Sequence, residues 1–454
     1  MSAFEKELMR RSPLAAAVLE MADHIFSPEL LGPLYAMWRG RCYEDKLTFD
    51  QFVRLTRDAL IHHKGSAHKL FVELKRSRSQ PIDKSNYYRK LARMPVEISR
   101  ALLREGTGKL RELIPEAAVK LPACVDGFEV IIGDGKKIKN AAKRLKLTRG
   151  YSGRLIGAKA LVAVDVRSGL ALAMNDSLDG QTNDVPLVPG LMDQLRQMIS
   201  RPLLTIWDRQ FDDPRTLGRL SQRPGDGFIV RMKQMQMPFH AESSLETRDS
   251  QGRIVRDEIG MLGSAKPMRV RRITLLRGEE ADDVILLSNL LDGELFSAEV
   301  LLELYRKRWG IEQVFQQVTE TFSLSHLIGS APQAVLFQFA YCLLLYNLMQ
   351  VVKLYVAEDG GVLAALVSMY YLFSDVRDEL RAWAYHTDGT WPRFHRDPAA
   401  MRRRLRELLR GSWTTAYTKA VDKKPRGKPK IKLRLHGGHT SVQRLLEGKA
   451  RVIA

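Results

Sequence analysis

The chain has 454 residues, of which 45% are hydrophobic and 27% charged. This composition excludes a disordered or fibrous protein, and the length predicts roughly three globular domains. Seventy-two Lys and Arg against 52 Asp and Glu give a net charge of +20, which indicates a polyanionic partner, with nucleic acid ahead of a ribosome or a membrane surface. Cys42, Cys124 and Cys342 show no Cys-x-x-Cys spacing. We therefore expect no disulfide framework or zinc module, and a reducing, cytoplasmic location.

Residues 1–120 show helical spacing without strand alternation and are expected to form a helical DNA-binding domain. Two of these helices flank a turn that contains Gln80-Pro81, which is compatible with a helix-turn-helix motif. The second helix, begun by Asp83 or Ser85, would present five polar side chains to DNA: Lys84, Asn86, Tyr87, Arg89 and Lys90. A helical hairpin with solvated basic faces is the alternative.

Strand patterns indicate that residues 121–233 form the first part of an α/β core. Apolar runs predict strands in four places: 128–135, a hairpin over 154–178, 201–210 and 227–233. A helix over 184–200 is expected to follow a cap at Asn183 or Asp184.

The second half of the chain shows three further patterns. Short β-prone pieces joined by polar turns predict a β-rich insertion domain over 234–296, and helical spacing predicts the second part of the core over 297–356. Residues 357–454 are expected to form a helical C-terminal region with a basic tail. The apolar run at 334–352 is long enough to span a membrane, but its polar interruptions favour a buried core helix and no membrane partner.

Two carboxylates, Asp134 and Asp208, come directly after predicted strands. In an open sheet, strand ends project functional groups into a crevice. Aspartate is also a common turn residue, so neither position is decisive alone.

A third carboxylate, Glu312, belongs to the predicted helix that begins at Ser297. Apolar residues form one stripe on this helix: Leu304, Ile311, Phe315, Val318 and Phe322. Glu312 shares an adjacent stripe with Tyr305 and Arg308, at the border of the core-facing surface, from which it can face the sheet edge. The alternative is an i,i+4 surface ion pair with Arg308, which contributes only tenths of a kcal/mol.

Clustered carboxylates repel one another and need cations. In a strongly basic protein the simplest explanation is a site for Mg²⁺ or Mn²⁺ that serves phosphodiester chemistry. The stretch after Asp134, DGKKIKNAAKRLKLTRGYSGR, contains eight basic residues and no further acid. Its first lysines, Lys136 and Lys137, would hold a DNA backbone beside such a site; a solvated basic loop is the alternative.

With these residues assembled, the chain resembles the DDE transposases of bacterial insertion sequences, in the branch with a Tyr-x2-Arg-x3-Glu-x6-Lys signature. Three stretches carry the resemblance: LYRKRWGIEQVF with Tyr305, Arg308 and Glu312, GDGKKI with Asp134, and WDRQFDD with Asp208. The resemblance covers about 125–350, and Thr319 stands where the signature has Lys.

The resemblance implies a ribonuclease-H-like mixed sheet flanked by helices, with Asp134, Asp208 and Glu312 as catalytic ligands of Mg²⁺, which Mn²⁺ can replace. It implies cut-and-paste transposition, in which DNA is cleaved at the element ends and the 3′-hydroxyl is joined to target DNA. Tyr305 and Arg308 would contact the transposon end, and Arg209 is a further candidate for a phosphate contact.

The implied partners are double-stranded terminal repeats and target DNA, in the nucleoid of a bacterial cytoplasm. Because two ends must be brought together, a homodimer is the natural expectation. A structure-selective nuclease on the same core and a domesticated, non-catalytic DNA-binding protein are the alternatives.

The tail from Lys419 to Ala454 contains eleven basic and two acidic residues. Its centre includes PRGKP, with Arg426 and Lys428, which is similar to the core of an AT-hook. Non-specific phosphate binding, an AT-hook-like mode and a contribution to solubility are the three interpretations of this tail.

Overall fold

The structure is a computed structural model that combines fifteen α-helices with one large mixed sheet in the part of the chain that it describes. That part comprises residues 3–41, 44, 46–76, 82–116, 120–139, 141, 143–151, 153–233, 237–264, 267–278, 282–322, 324, 326–387, 397–419 and 439–450. The α-helices are α1 (Ala3–Arg11), α2 (Pro13–Ile25), α3 (Pro28–Trp38), α4 (Phe49–Ile61), α5 (Ala67–Arg76), α6 (Lys84–Ala92), α7 (Val96–Arg111), α8 (Val188–Met198), α9 (Pro214–Leu220), α10 (Ala298–Arg306), α11 (Trp309–Glu320), α12 (Pro332–Asp359), α13 (Met369–Thr387), α14 (Pro398–Leu409) and α15 (Val442–Leu446). The strands are β1 (Glu129–Lys139), β2 (Arg154–Asp165), β3 (Ala171–Ser177), β4 (Leu203–Trp207), β5 (Gly227–Arg231), β6 (Phe239–Arg248), β7 (Ile254–Leu262), β8 (Met268–Leu275), β9 (Val284–Ser288) and β10 (His439–Ser441).

The N-terminal region is helical, as expected, but α6 does not present all five predicted side chains to solvent. Asp83 caps the helix by accepting a hydrogen bond from the Ser85 amide. Tyr87 is fully buried, and its hydroxyl lies 3.0 Å from that of Thr56. Lys90 donates to the Leu47 carbonyl oxygen at 2.7 Å. The prediction that Tyr87 and Lys90 face DNA is therefore wrong, because both complete the packing of α6 on its neighbours; the predicted turn at Gln80-Pro81 lies outside the described residues.

The sheet is built around β1 and β2. Strands β1, β2 and β3 are antiparallel neighbours, and β4 and β5 extend the other edge of β1 in parallel. This arrangement is an α/β fold, with strands of both directions and helices packed against them.

The predicted insertion over 234–296 is β-rich, but its strands continue the core sheet. Strand β9 pairs antiparallel with β5, and β8, β7 and β6 follow in that order to the sheet edge. The backbone hydrogen bonds of β5 thus join the two segments that the sequence pattern separated.

The C-terminal region also returns to the sheet. β10 pairs in parallel with the first residues of β2, and Val442, at the start of α15, is fully buried. The expected helical C-terminal region with a basic tail therefore also contains a strand at 439–441, which pairs with the edge of the sheet.

The long apolar helix α12 runs through the core, as expected. By length and composition it could cross a membrane, but its apolar window is wholly buried within the fold. Asn347 explains one polar interruption, because its side chain donates to the Ala171 carbonyl and accepts from the Ala171 amide, both at 2.8 Å. This helix therefore stabilises the part of the sheet that contains β1–β3, because it buries apolar surface and pairs the backbone groups of Ala171 at the start of β3.

Candidate active site at the ends of two parallel strands

Asp134 lies on β1 and Asp208 directly follows the neighbouring strand β4, and both are just beyond the point where β1–β4 pairing stops. The β1–β4 ladder ends at the pair Ile132 and Ile206. The sequence predicted that Asp134 follows the end of its strand. This prediction is wrong, because β1 continues beside β2 as far as Lys139. Asp208 follows β4 and accepts a hydrogen bond from the Arg209 amide at 2.6 Å. The two carboxylates are close enough that the charge of Asp208 helps to raise the pKa of Asp134.

The glycines on either side of Asp134 are required by close packing. A Cβ atom on Gly133 would lie 2.1 Å from the Trp207 ring, and one on Gly135 would lie 2.1 Å from the Asp184 carboxylate. Because alternate residues of a strand face opposite sides of the sheet, both contacts lie on the face opposite the Asp134 side chain. The GDG sequence thus brings β1 close to Trp207 and Asp184.

The Asp134 carboxyl lies in a poorly hydrated position. Burial raises its pKa to about 6, while the Gly135 amide and the Arg308 guanidinium oppose the rise. The negative charges of Asp208 and Asp184 act in the same direction as burial. The ionised form of Asp134 is therefore only partly stabilised by the groups around it.

Arg308 occupies a break between two helices. The sequence predicted one helix past Thr319, but α10 ends at Arg306 and α11 begins at Trp309. At the break, the amide of Arg308 donates to the Tyr305 carbonyl at 3.0 Å, a tighter turn than the α-helix makes. The break leaves Arg308 buried at the first turn of α11.

The Arg308 guanidinium is close enough to both aspartates to feel their charges. Burial lowers its pKa, but Tyr305, Asp208 and Asp134 raise it, and the net shift is upward. Its Nε atom is buried and has no hydrogen-bond acceptor among the described residues. Tyr305, the other predicted contact, is also buried.

Glu312 does not join the two aspartates. Its side chain is 44% exposed, and Oε1 lies 3.5 Å from an Arg308 nitrogen. Within the described part of the chain, no three acidic, histidine or cysteine side chains form a group that could hold a metal ion. The structure thus brings together Asp134 and Asp208, and it contains the i,i+4 ion pair that was the alternative for Glu312.

Two of the predicted DNA contacts, Lys136 and Lys137, lie in the same cleft as Asp134. Lys136 lines a cleft of about 580 Å³ together with Asp134 and Thr319. Its Nζ lies 5.3 Å from the centre of the Phe315 ring, and burial lowers its pKa. Lys137 lines the same cleft and is exposed. A lysine from β1 therefore shares the cleft with the residue that replaces the signature lysine.

Three basic predictions remain. Arg209 is exposed beside Asp208. Arg426 and Lys428 lie outside the described residues.

Sequence reasoning missed three polar side chains beside the aspartates. Lys159 and Asp184 form an ion pair at 2.6 Å, and both side chains are 6% exposed. Gln210 donates to the other Asp184 oxygen at 2.7 Å. The only sequence signal was the predicted helix cap at Asn183 or Asp184, and that signal pointed to a different use of the Asp184 side chain.

The region that holds both aspartates matches a known family. Residues 123–348 match the family described as the transposase DDE domain. The match supports a DDE transposase. A protein of that family is an enzyme that cleaves nucleic acid, and the matched segment of this chain includes all three carboxylates named above.

Other comparisons add little to the DDE transposase assignment. No curated protein matches the chain. Among solved structures, the cryo-EM structure of a piggyBac transposase synaptic complex with hairpin DNA is similar, with 14% sequence identity and a TM-score of 0.42. That similarity covers 92% of this chain and 88% of the other.

Proposed function

We propose that the protein is a metal-dependent transposase that cleaves DNA at element ends and joins the freed 3′-hydroxyl to target DNA. The observation that carries the proposal is the pair of aspartates beyond the β1–β4 ladder, beside a buried arginine and a lysine-lined cleft. We also propose that β1–β5 correspond to a ribonuclease-H-like core.

The two aspartates fit a divalent cation. Their carboxylate oxygens are the hard ligands that Mg²⁺ and Mn²⁺ prefer, and the raised pKa of Asp134 reflects a charge that lacks full compensation. When bound, the ion would activate the attacking oxygen and stabilise the leaving one. Glu312 is proposed as a further ligand, a role in which it exchanges its contact with Arg308 for one with the ion.

The basic side chains have a separate role in this proposal. The buried Nε of Arg308 has no acceptor among the described residues, which suits a phosphate oxygen at the reacting bond. Lys136, Lys137 and Arg209 would hold the backbone on either side of it. Tyr305 supports Arg308, whose guanidinium lies 5.9 Å from the tyrosine ring centre.

Asp134→Asn and Asp208→Asn test the proposal. Each variant should lose cleavage of an end-containing plasmid in Mg²⁺ while it retains DNA binding, because the amide keeps the shape and removes the charge that holds the ion. Cleavage at the wild-type rate by either variant would contradict the assignment. Strand transfer in the same reaction separates a transposase from a nuclease.

The basic tail supports a second test, on DNA affinity. Because β10 and α15 belong to the fold, the test should neutralise only the intervening charges and leave 439–454 in place. The residues to replace with Gln are Lys423, Lys424, Arg426, Lys428, Lys430, Lys432 and Arg434.

DNA affinity of the neutralised variant should fall broadly, and the slope of log affinity against log salt should decrease by about 0.9 for each phosphate that the tail no longer neutralises. Asp134→Asn, which retains all of these charges, is the control and should keep the wild-type slope. An unchanged slope in the neutralised variant would show that the tail does not contact DNA.

Sedimentation of the same complexes tests the proposed homodimer on two DNA ends.

A further inference from the structure

The spacing between Asp134 and Asp208 needs a support that the sheet does not provide. Backbone pairing between β1 and β4 stops two residues before the aspartates. Beyond that point β1 stays paired with β2, while the chain after β4 turns into a short helix at Arg209–Phe211. If the two carboxylates are to hold one ion, another contact must therefore connect the segment after β4 with β1.

Asp184 makes that contact from the loop after β3. Its Oδ2 accepts a hydrogen bond from Gln210, two residues after Asp208. Its Oδ1 pairs with Lys159 of β2, and the same carboxylate packs against Gly135, the residue after Asp134. The Asp184 side chain thus contacts β1, the segment after β4, and the strand β2 that pairs with β1.

The position of Asp184 in the sequence predicts a different use. It precedes the short helical turn at Val185–Leu187, but its side chain makes no capping hydrogen bond there. A buried carboxylate costs free energy unless its oxygens are paired. Gln210 donates a hydrogen bond to Oδ2, and the Lys159 ammonium lies 2.6 Å from Oδ1 as an ion pair without hydrogen-bond geometry.

We propose that Lys159, Asp184 and Gln210 form a brace that sets the separation of the Asp134 and Asp208 carboxylates for metal binding. The proposal rests on the proposed function, because it assigns positioning residues to the metal site. Side chains that orient metal ligands from behind commonly change metal affinity about 10- to 100-fold when they are replaced.

Gln210→Met is the decisive variant, because it keeps the length of the side chain and removes only the donor to Asp184. The probe is Mn²⁺, whose free concentration is followed by electron paramagnetic resonance in a titration of the full chain without DNA. The Mn²⁺ dissociation constant should rise about tenfold or more. The melting temperature in EDTA should stay near the wild-type value, because Lys159 still neutralises Asp184.

Asp257→Asn is the matched control. Asp257 pairs with the buried Arg271 on β7 and β8, in the part of the sheet beyond β5. This substitution should lower the melting temperature and leave the Mn²⁺ dissociation constant unchanged. A structural lesion would lower both stability and Mn²⁺ affinity. If Gln210→Met does so, with a melting temperature as low as that of Asp257→Asn, the proposed positioning role of the brace is wrong.

The variants Asp134→Asn and Asp208→Asn separate the two proposals. If both lose Mn²⁺ binding while Gln210→Met binds like wild type, the brace is wrong and the metal site stands. If wild type does not bind Mn²⁺, or if both aspartate variants bind it normally, the metal site fails and the brace fails with it. Should Gln210→Met not fold, Gln210→Asn keeps the amide but shortens the side chain, and it is held to the same outcomes.

Discussion

Two buried arginines show how the outer strands differ from the candidate site. Arg271, on β8, is 1% exposed and makes two hydrogen bonds to Asp257, at 2.8 and 2.5 Å, and a third to the Phe296 carbonyl at 2.5 Å. Arg308 is 6% exposed, but its contact with Glu312 is long and its Nε has no acceptor among the described residues.

The difference separates a structural charge from an available one. Arg271 uses its donors within the fold, so that it holds β7, β8 and the segment before α10 together. Arg308 keeps unpaired donor capacity beside two carboxylates. Buried groups that lack a full set of partners cost stability, and they persist where a ligand completes them.

The largest expected effect concerns Glu312. If it is a metal ligand, Glu312→Gln should reduce plasmid cleavage by about two orders of magnitude or more, an amount in the range of losses that follow removal of one transition-state contact. The free energy of unfolding should change by less than about 1 kcal/mol, because the ion pair with Arg308 is half exposed. A fully active variant would leave Glu312 as a surface partner of Arg308 only.

Arg271→Ala and Arg308→Ala should separate the two arginines in opposite ways. Arg271→Ala leaves Asp257 without its partner and should cost about 3 to 5 kcal/mol of unfolding free energy. Arg308→Ala should cost less, because fewer of its hydrogen bonds lie within the fold. Chemical denaturation measures both.

Cleavage should show the reverse order. Arg308→Ala should impair end binding or cleavage, with partial recovery at low salt, where weakened phosphate contacts are less screened. Folded Arg271→Ala protein should cleave normally. If the two variants lose stability and activity in the same proportion, the distinction between them is wrong.

The smallest expected effect is a pH dependence at Asp134. Its pKa is raised from 3.8 to about 6 in the fold, so between these values the folded protein binds a proton that the unfolded chain has released. Stability from this group is therefore lost as pH rises through that window.

Asp134→Asn removes this pH dependence. In EDTA, the variant should gain melting temperature relative to wild type as pH rises from about 4 to about 7. Mn²⁺ binding by wild type should weaken below about pH 6, because protons then compete for the carboxylate. A melting-temperature difference that does not change with pH would contradict the raised pKa.

Local patterns in the sequence were sufficient for elements whose signal lies within a few turns or strand residues. The apolar stripe Leu304, Ile311, Phe315, Val318 and Phe322 is buried as predicted, and α12 is a core helix. The hairpin of β2 and β3 and the Asp83 cap were equally local. Spacing and capping express the geometry of a single element, and a sequence displays that directly.

Site residues were predictable to the extent that a motif marked them. Asp134 and Asp208 were expected to meet, and their positions on adjacent parallel strands place them together. Glu312 shows the limit of helical spacing: the stripe through Tyr305 and Arg308 assumed one continuous helix, and the chain turns at Lys307 and Arg308 instead. The apolar stripe nevertheless stays buried on both sides of this break.

By itself, therefore, the sequence determined most of the helices and strands before residue 297, which surfaces are apolar, and which acids and bases belong to a recognisable motif. Only the tertiary structure decided that β9 joins β5, that β10 returns to β2, that Tyr87 is buried, and that Asp184 pairs with Lys159 and Gln210. The physical reason is that strand pairing and the burial of a charge depend on partners far away in the chain. Their cost or gain is settled only when the packed interior removes water and brings those partners into contact.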